Sequence, residues 1–599
     1  MEKQKKRSEI DSKFKWAIED LYKCDSDWEA ELEETKALAK NLEKYQGVLG
    51  VSSKNLLDFF KLQDEIAGHL ERVYVYANQK YHEDTSNSTY QDFSGKASSL
   101  EVMIRGAVSF AVPEILSLDE EVLKKFMEEE EGLKQYEFAL TEILRQKPHT
   151  LSKEMEEVLA NAGEMAESPS NIFSMFNNAD IKFPQIEGED GNLVDVTHGR
   201  YSMFLENPNQ RIRRDAFKSV YSVYRNFKNT LAATFIANLK QESFMAKTRN
   251  YTSAMTRALD DSNVPVNVYT NLIDAVHDNM HLMHRYVTLR KKLLKLDELH
   301  MYDLYLPIVE DADMKIDFEQ AKEMVYDGLH PLGEEYRSKL REGYDNGWID
   351  VYENEGKRSG AYSWGAYGTH PYVLLNYQDN LNNVFTLAHE MGHALHSYHS
   401  DAALPITYAG YRTFVAEVAS TCNEALLMEH LLEKTTDKKQ RAFLLNHFLE
   451  QFKSTLYRQT MFAEFEMIVH QKAANNESLT ADVLCETYLG LVHQYFGDDI
   501  IIDEEIAMEW ARIPHFYNAF YVYQYATGYS AAIAISRRIL KEGKPAVDDY
   551  IKFLSSGGSD YPIELLKIAG VDMSTRTPVN EALQLFGSLL DEMEELLAE

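Results

Sequence analysis

Five consecutive residues in the second half of the chain have the types and spacing of a hydrolytic metal centre. They read His389-Glu390-Met391-Gly392-His393 and match the HExxH pattern. Residues four apart on an α-helix lie about 40° from each other around its axis, so the two imidazoles can hold one metal ion. Glu390 projects from a neighbouring face, where its carboxylate can act as a general base on water. The pattern therefore predicts a zinc hydrolase centre, and the chemistry it indicates is peptide-bond hydrolysis.

The residues around the motif predict the elements that would position it. Apolar residues precede and follow it in a helical pattern: Val384, Phe385, Leu387, Ala388, Ala394 and Leu395. Two stretches typical of strands come before it, residues 348–352 and residues 371–377. A strand at the edge of a sheet can pair with an extended peptide and bind it with little regard for side-chain identity. We expect a small sheet beside a metal-binding helix.

A zinc ion held by two histidines needs a further protein ligand. His399 has the spacing found in metzincins, but that class has a glycine where this chain has His396, and the glycine lets the chain turn sharply after the helix. His396 lies on nearly the same helical face as His389, but about 10 Å further along the axis. We expect an uninterrupted helix in which His396 serves packing or hydrogen bonding and neither residue is a ligand.

Glutamates in the next helical pattern offer the missing ligand. This pattern begins at residues 414–420, after a loop, and a carboxylate from it would complete the His₂Glu set of many zinc peptidases. Glu417, Glu424 and Glu429 are all candidates. Spacing alone does not choose among them.

The composition is typical of a large, folded and mostly helical protein. Its 599 residues exceed what one hydrophobic core usually serves, so we expect at least two lobes. Hydrophobic residues make up 44%, with 36 Tyr and 28 Phe, which argues against long disordered regions. The chain has few glycines and prolines, 28 and 14, and few alternating β-branched runs. The predicted fold class is therefore mainly α.

Charge and cysteine usage limit the partners and the compartment. The chain has 62 Lys plus Arg against 96 Asp plus Glu, a net charge of −34, which disfavours binding to nucleic acid or anionic membranes. Cys24, Cys422 and Cys485 are widely spaced and form no CxxC pair, which indicates a reducing compartment. The basic start leads into no apolar segment typical of a secretion signal, and no apolar run reaches membrane-spanning length. We expect a cytoplasmic protein.

The pattern of helices and turns predicts the domain organisation. Residues 25–170 read as successive amphipathic helices without a metal-ligand cluster. Residues 181–197 contain a turn-rich stretch between two short apolar runs, which predicts a hairpin. We place the boundary there, with an N-terminal helical domain at residues 1–200 and a catalytic domain at residues 201–599.

Longer motifs carry a family resemblance. HEMGHALHSYHS at residues 389–400, followed by YAGYRTFVAEVASTCNE at residues 408–424, resembles oligoendopeptidase F, a branch of the thimet oligopeptidase and neurolysin family of zinc peptidases. Four further segments are similar to that branch: residues 302–305, 356–365, 513–517 and 555–562. The resemblance implies a mostly helical, two-lobed molecule with a deep channel that admits short peptides and excludes folded proteins.

The resemblance also implies roles for particular residues. Glu417 matches the family's third metal ligand. His515 matches a histidine, and Tyr525 best matches the last of the tyrosines after it, which serve substrate binding and stabilise the oxyanion. This chain lacks the glycine pair that follows the histidine in larger relatives, and Val522 stands where another of their tyrosines would be. Whether Tyr521 or Tyr523 substitutes for it stays open.

One more segment is similar to the family. Gly410-Tyr411 resembles its flexible loop near substrate, although an ordinary turn explains the pair equally well.

The resulting hypothesis is a zinc endopeptidase acting on short oligopeptides, with one Zn²⁺ ion. His389, His393 and Glu417 hold the metal, Glu390 is the general base, and the other two catalytic residues, His515 and Tyr525, stabilise the oxyanion. Two alternatives stay open: an exopeptidase of the peptidyl-dipeptidase or carboxypeptidase type, and a catalytically silent peptide-binding protein. We expect a monomer or a small homo-oligomer that binds neither nucleic acid nor membranes.

Overall fold

Helices dominate the chain, as its low glycine and proline content predicts. The structure, a computed structural model, describes residues 4–309 and 315–597. Helical segments make up 72%, and the strands are short. The predicted mainly α fold class with a small sheet is thus confirmed. Within the described ranges, no helix combines the length and the apolar character needed to span a membrane.

The chain divides into two compact units, each assembled from three separate stretches. The first unit comprises Met1–Pro148, Asp313–His430 and Ile535–Val571. The second comprises His149–Ala312, Leu431–Ala534 and Asp572–Glu599. These two units group residues that lie close together in space. The predicted domains, residues 1–200 and 201–599, instead divide the chain at one point in the sequence, and this division stays a prediction.

The first unit contains the HExxH motif and most of the N-terminal helices. Its α-helices are Asp25–Ala39, Ser53–Glu83, Ser88–Val108, Ala111–Leu116, Glu120–Glu129, Glu137–Arg145, Phe318–Gly328, Gly333–Asp345, Leu381–Ala403, Ile406–Ala409, Thr413–Lys434, Lys544–Leu554 and Pro562–Ile568. We call Leu381–Ala403 the HExxH helix and Thr413–Lys434 the Glu417 helix. The last few residues of the Glu417 helix belong to the second unit, and helix Tyr523–Glu542 contains residues of both.

The helix Ser53–Glu83 illustrates how the sequence builds this unit. The Oγ of Ser52 caps it by accepting a hydrogen bond from the backbone N–H of Asn55 at 3.2 Å. One face of the helix is buried and carries apolar side chains at helical spacing: Leu56, Phe59, Phe60, Ile66 and Val73. Trp28 and Phe93 stack in the same core, with ring centroids 3.9 Å apart. The amphipathic helices predicted for this region are confirmed.

A three-stranded sheet lies in the first unit and contacts the HExxH helix. The predicted strands exist but are shorter than expected, Ile349–Asp350 and Tyr372–Leu374, and they pair in parallel. A third strand, Tyr362–Trp364, pairs antiparallel with Tyr372–Leu374 and forms an edge of the sheet. The sequence does not predict this strand, because its three residues are too few to show an alternating pattern.

The last stretch of the first unit packs against the loop that follows the HExxH helix. The backbone N–H of Gly558 donates to the carbonyl of Tyr408 at 2.8 Å. The ring of Phe553 lies 5.5 Å from the ring of His396, between centroids. Residues 150 or more positions downstream therefore complete the surroundings of the motif.

The second unit is also helical. Its α-helices are Lys153–Ala166, Ser168–Met175, His198–Leu205, Gln210–Asn226, Lys228–Thr248, Ala254–Asp260, Val266–Asp278, Met280–Leu293, Lys438–Gln451, Arg458–Ala474, Ala481–Phe496 and Thr577–Leu597. The predicted hairpin is present, but its first strand is Ile186–Glu187 and not the apolar run at residues 181–183. This strand pairs antiparallel with Leu193–Val194, and Gly191 in the turn has φ of 79°. The 3₁₀ turn Pro514–Tyr517 carries His515.

Candidate active site

The HExxH helix is a single uninterrupted helix of 23 residues. The side chain of Asn380 caps it by accepting a hydrogen bond from the N–H of Asn383 at 3.0 Å. The helix continues for ten residues beyond His393 without a turn. The expectation of a continuous helix through His396 is confirmed.

Three side chains converge on one point beside this helix. The Nε2 atoms of His389 and His393 are 3.2 Å apart. Glu417 Oε2 lies 3.3 Å from the first and 3.6 Å from the second. Among the described residues, His389, His393 and Glu417 are the cluster of potential ligand side chains close enough together to hold one metal ion.

The spacing of these three atoms fits a zinc ion. Tetrahedral zinc with bonds of about 2.0–2.1 Å separates its ligand atoms by about 3.3–3.4 Å. The three separations in the structure, 3.2, 3.3 and 3.6 Å, bracket that value. Two imidazole nitrogens and one carboxylate oxygen also form a donor set that zinc prefers, and it leaves a fourth position for water or substrate. The residues present therefore fit the metal that the motif implies.

Close packing brings the Glu417 helix against the HExxH helix. Gly392 permits the approach, because a Cβ atom at this position would lie 2.6 Å from the Cα of Ser420. Asn423 Nδ2 donates to the carbonyl of Ala388 at 3.1 Å, and Tyr336 Oη donates to Asn423 Oδ1 at 2.9 Å. The glycine inside the motif thus sets the distance at which Glu417 can reach the two histidines.

Contacts with the N-terminal helices hold the loop between these two helices. Thr407 Oγ1 donates to the carboxylate of Asp64 at 2.9 Å. Arg412 pairs with Glu142, with 2.7 Å between Nη2 and Oε2. The first residues of the Glu417 helix are therefore positioned by side chains that lie more than 250 residues earlier in the chain.

Glu424 has a role that sequence spacing did not identify. Its Oε1 lies 2.6 Å from His389 Nδ1 and accepts a hydrogen bond from it. This bond fixes the tautomer of His389 and leaves Nε2 free to face His393 and Glu417. Glu424 follows Glu417 by seven residues and lies on the same helical face. This spacing is the sequence signal that could have indicated a second carboxylate positioned to hydrogen-bond one of the histidines.

The cluster is electrostatically coupled. Burial acts to lower the pKa of His389, but hydrogen bonds to Glu417 and Glu424 raise it well above its usual value. Burial acts to raise the pKa of Glu417, but hydrogen bonds from His389 and His393 hold it below its usual value. The carboxylates thus favour a cation between them.

Glu390 lies beside the cluster and is not part of it. Its side chain is buried, and its Oε2 has no hydrogen-bond partner among the described residues. Burial raises the pKa of the Glu390 carboxyl, while His389 and His393 oppose the rise. A buried carboxylate with an unused oxygen is suited to exchange a proton with water or substrate.

His396 and His399 lie outside the cluster. His396 is fully buried, and its ring stacks on Tyr411 with centroids 3.7 Å apart. Burial lowers its pKa to about 3. His399 stacks near Tyr336, with 6.2 Å between centroids. Both side chains serve packing, as the sequence predicts for His396.

The second unit brings together His515 and two of the tyrosines. His515 Nε2 lies 3.5 Å from the hydroxyl of Tyr525, and the ring of Tyr521 is parallel to that of His515 at 6.1 Å. Tyr523 instead is buried and packs against Tyr269 at 5.0 Å. Tyr521 is therefore a better candidate than Tyr523 for a further polar contact.

The backbone before these tyrosines is held in an unusual conformation. Phe520 has φ of 57°, which is rare for a residue with a side chain. Its N–H donates to Glu466 Oε1 at 3.0 Å, and Glu466 is fully buried. This bond fixes the start of the segment that carries Tyr521 and Tyr525.

Comparisons with known proteins identify the family of this chain. A family model described as Peptidase family M3 matches residues 203–585, and one described as Oligopeptidase F matches residues 114–183.

The chain is 51% identical to Oligopeptidase PepF of Bacillus subtilis (strain 168), over 99% of this chain and 88% of that protein. It is 40% identical to the oligoendopeptidase F homolog of Lactococcus lactis subsp. lactis, over 99% of both chains. The crystal structure of oligoendopeptidase-F from Enterococcus faecium matches with a TM-score of 0.75 and 38% identity, over 96% of this chain and 99% of that one. These matches confirm the resemblance read from the sequence, and the chain belongs to peptidase family M3, in its oligopeptidase F branch.

Proposed function

We propose that this protein is a zinc-dependent endopeptidase that hydrolyses internal bonds of short oligopeptides. One observation carries the proposal. Two imidazole nitrogens and a carboxylate oxygen converge at the spacing of zinc ligands, beside a buried carboxylate that has an unused oxygen. Membership of family M3 supports metallopeptidase activity, and the names of the relatives support oligopeptides as the substrate class.

His389, His393 and Glu417 would hold one zinc ion. Zinc bound by these ligands supplies Lewis-acid polarisation of the peptide carbonyl and acidifies the attacking water. The hydrogen bond to Glu424 holds His389 in the tautomer whose Nε2 would be available to bind zinc.

Glu390 moves the proton in this scheme. Its carboxylate takes one proton from the attacking water as the new C–O bond forms at the scissile carbonyl. The same proton then passes from Glu390 to the leaving nitrogen as the C–N bond breaks, so the carboxylate is regenerated in each cycle. Burial raises the pKa of this carboxyl and thereby brings it nearer to neutral pH, where a general base is most effective.

His515 and Tyr525 are assigned to the oxyanion that forms on the carbonyl oxygen. An imidazole and a phenol are both suitable donors, and one such donor typically contributes about 3–4 kcal/mol of transition-state stabilisation. Their closeness to each other supports a shared task, because the two polar atoms are 3.5 Å apart.

The edge strand is a candidate for binding the substrate backbone. Val373 donates its N–H to Trp348 on one side of its strand. Its antiparallel partner on the other side, Ser363, therefore directs its own N–H and C=O to the open edge of the sheet. An extended peptide can add there as a further strand. Such binding would tolerate many side chains, as a general oligopeptidase requires.

The cellular setting and the division of the chain complete the proposal. Cys24, Cys422 and Cys485 are free thiols, which supports a reducing compartment, and we assign the protein to the cytoplasm. We also retain residues 1–200 as the N-terminal domain and residues 201–599 as the catalytic domain.

Digestion of peptides of graded length, with free and with blocked ends, tests the proposed function. We expect internal cleavage of short blocked peptides, no cleavage of folded proteins, and loss of all cleavage when a chelator removes zinc. A requirement for a free terminus would identify an exopeptidase instead. Binding without cleavage under every condition would identify a silent peptide-binding protein.

The Glu390→Gln variant tests the assignment of the general base. The amide cannot accept the proton, so we expect turnover to fall by about 10³-fold or more. Zinc content should stay at one ion per chain, because Glu390 is not a ligand. Near-full activity of this variant would refute the mechanism.

A further inference from the structure

A cavity of about 550 Å³ adjoins the HExxH helix within the first unit. Its walls come from the HExxH helix, the helix Ser53–Glu83, the edge strand Tyr362–Trp364 and the Gly410-Tyr411 turn. The volume is in the range of small-ligand sites and exceeds that of any single side chain.

The charged groups that line this cavity are all acidic. Asp401, Glu71 and Glu101 contribute carboxylates, and none of the lining residues is Lys, Arg or His. Glu101 is paired with Arg105. Asp401 and Glu71 have no cationic partner among the described residues.

Asp401 and Glu71 are also poorly compensated by hydrogen bonds. No hydrogen bond is formed by the carboxylate of Asp401 within the described parts of the chain, and Glu71 accepts only the backbone N–H of Tyr367 at 2.9 Å. Burial, with the nearby charge of Glu71, raises the pKa of Asp401 to about 7. Burial likewise raises the pKa of Glu71. Asp401 is half-buried and Glu71 is more exposed. Neither carboxylate has a counter-charge among the described residues, so a cation that enters the cavity stabilises both.

Aromatic rings form other parts of the wall. They belong to Tyr74, Trp364, Tyr367 and Tyr411. The faces of such rings attract ammonium and guanidinium groups, and they pack against the methylene stems of lysine and arginine. The combination of carboxylates and aromatic rings in the cavity wall therefore suits a long cationic side chain better than a free inorganic ion.

The position of the cavity relates it to the cleavage site. Ser397 and Asp401 line it and follow His393 by four and eight residues, so all three lie along one side of the HExxH helix. Eight residues of helix correspond to about 12 Å. An extended peptide covers that distance in about three to four residues. Ser363, whose backbone faces the open edge of the sheet, lines the same cavity.

We propose that this cavity is a substrate subsite for a lysine or arginine side chain located about three to four residues from the cleaved bond. Asp401 is its central specificity-determining residue, with Glu71 as a second carboxylate. The inference rests on the proposed endopeptidase function and adds a preference for cationic peptides to it.

Matched peptides test the subsite. One internally cleaved peptide is prepared with arginine at each position from four residues before to four after the scissile bond, and each version is paired with its citrulline counterpart, which is neutral and nearly isosteric. We expect kcat/KM to favour arginine at least tenfold at one position, three or four residues from the bond, and by less than twofold elsewhere. Equal values at every position would overturn the subsite and leave the endopeptidase standing. Cleavage of none of the peptides would instead refute the endopeptidase itself.

Variants of the cavity residues test whether the preference for arginine arises in this cavity. Asp401→Asn should reduce the arginine-to-citrulline ratio towards one, and Glu71→Gln should reduce it in part. Glu433→Gln is the matched control, since Glu433 is an exposed carboxylate on the Glu417 helix; it should keep both the ratio and the activity. An unchanged ratio in Asp401→Asn, with the protein folded, would contradict the proposal.

A binding measurement separates recognition from turnover. Calorimetric titration of the Glu390→Gln variant with the best arginine peptide and its citrulline pair should show at least a tenfold difference in Kd. Adding Asp401→Asn to this variant should remove the difference. Equal affinities of the two peptides for the Glu390→Gln variant would also overturn the subsite.

Discussion

The hydrogen bond between Glu424 and His389 allows a quantitative test of how the proposed metal ligands are positioned. The two atoms are 2.6 Å apart, and the side chains are only 16% and 27% exposed. Glu424→Gln keeps an acceptor oxygen and removes the charge. Glu424→Leu removes both and leaves His389 Nδ1 without this partner.

The expected magnitude follows from the type of bond. A partly buried hydrogen bond to a charged group contributes about 1.5–3 kcal/mol net, which corresponds to about 10- to 150-fold in an equilibrium constant. We expect zinc affinity to fall about tenfold in Glu424→Gln and about a hundredfold in Glu424→Leu, in the range seen when such partners of metal ligands are removed.

The assay is competition for zinc between the protein and a chromogenic chelator of known affinity. It reports metal binding without requiring turnover. Measuring kcat/KM at saturating zinc then shows whether activity is restored once the metal is loaded, as we expect for most of the loss. Glu433→Gln is the control for removing an exposed carboxylate from the same helix.

Two results would refute this reasoning. Zinc affinity of Glu424→Leu within twofold of the wild type would show that the bond does not support the ligand. Unchanged affinity together with a large loss of kcat would assign Glu424 to a different task.

Two further predictions concern the assigned oxyanion donors and the packing of the HExxH helix against the Glu417 helix. His515→Ala and Tyr525→Phe should each lower kcat by about 10²–10³-fold with little change in KM, and normal kcat in both would exclude their assignment. Gly392→Ala should destabilise the protein by about 1–3 kcal/mol and weaken zinc binding, because the added Cβ meets the backbone of the Glu417 helix. Gly95→Ala, on an exposed helix surface with no atom within 4 Å, should instead stabilise it by about 1 kcal/mol. Thermal unfolding measures both, and equal Tm values for the two glycine variants would contradict the packing argument.

The half of the site that lies on one helix could be predicted from the sequence. A four-residue separation on a helix defines the distance between His389 and His393 almost completely, because helix geometry is local. The same argument correctly excludes His396, which is too far along the axis. No tertiary information is needed for either conclusion.

The choice of Glu417 as the proposed third ligand required more than spacing. Glu417 is separated from the motif by a loop whose path depends on Asp64 and Glu142, far away in sequence. Glu417 and Glu424 also lie on one helical face, so a pattern of residue types treats them as equivalent. They differ by seven residues, or about 10 Å along the axis, and only the packing of the two helices shows which of them faces both histidines. In the sequence, only the family resemblance favours Glu417 over Glu424 as the third ligand.

The sheet shows a different limit of sequence patterns. The strands Ile349–Asp350 and Tyr372–Leu374 were expected to be longer, because apolar and β-branched residues continue beyond the paired region. The strand Tyr362–Trp364 was not expected at all. Its conformation depends on pairing with Tyr372–Leu374 and on contacts with the rest of the first unit, and neither leaves a periodic signal in three residues.

The interleaved order of the two units has a consequence for protein synthesis. The HExxH helix and the Glu417 helix are complete soon after residue 430, but Ile535–Val571, which packs on the loop between them, emerges from the ribosome much later. At about 5–20 residues per second, the 137 residues between Lys434 and Val571 take roughly 7–27 s. During that interval the proposed metal ligands exist on a chain whose first unit is still incomplete. We therefore expect the nascent chain to have no peptidase activity until almost all of it has been translated.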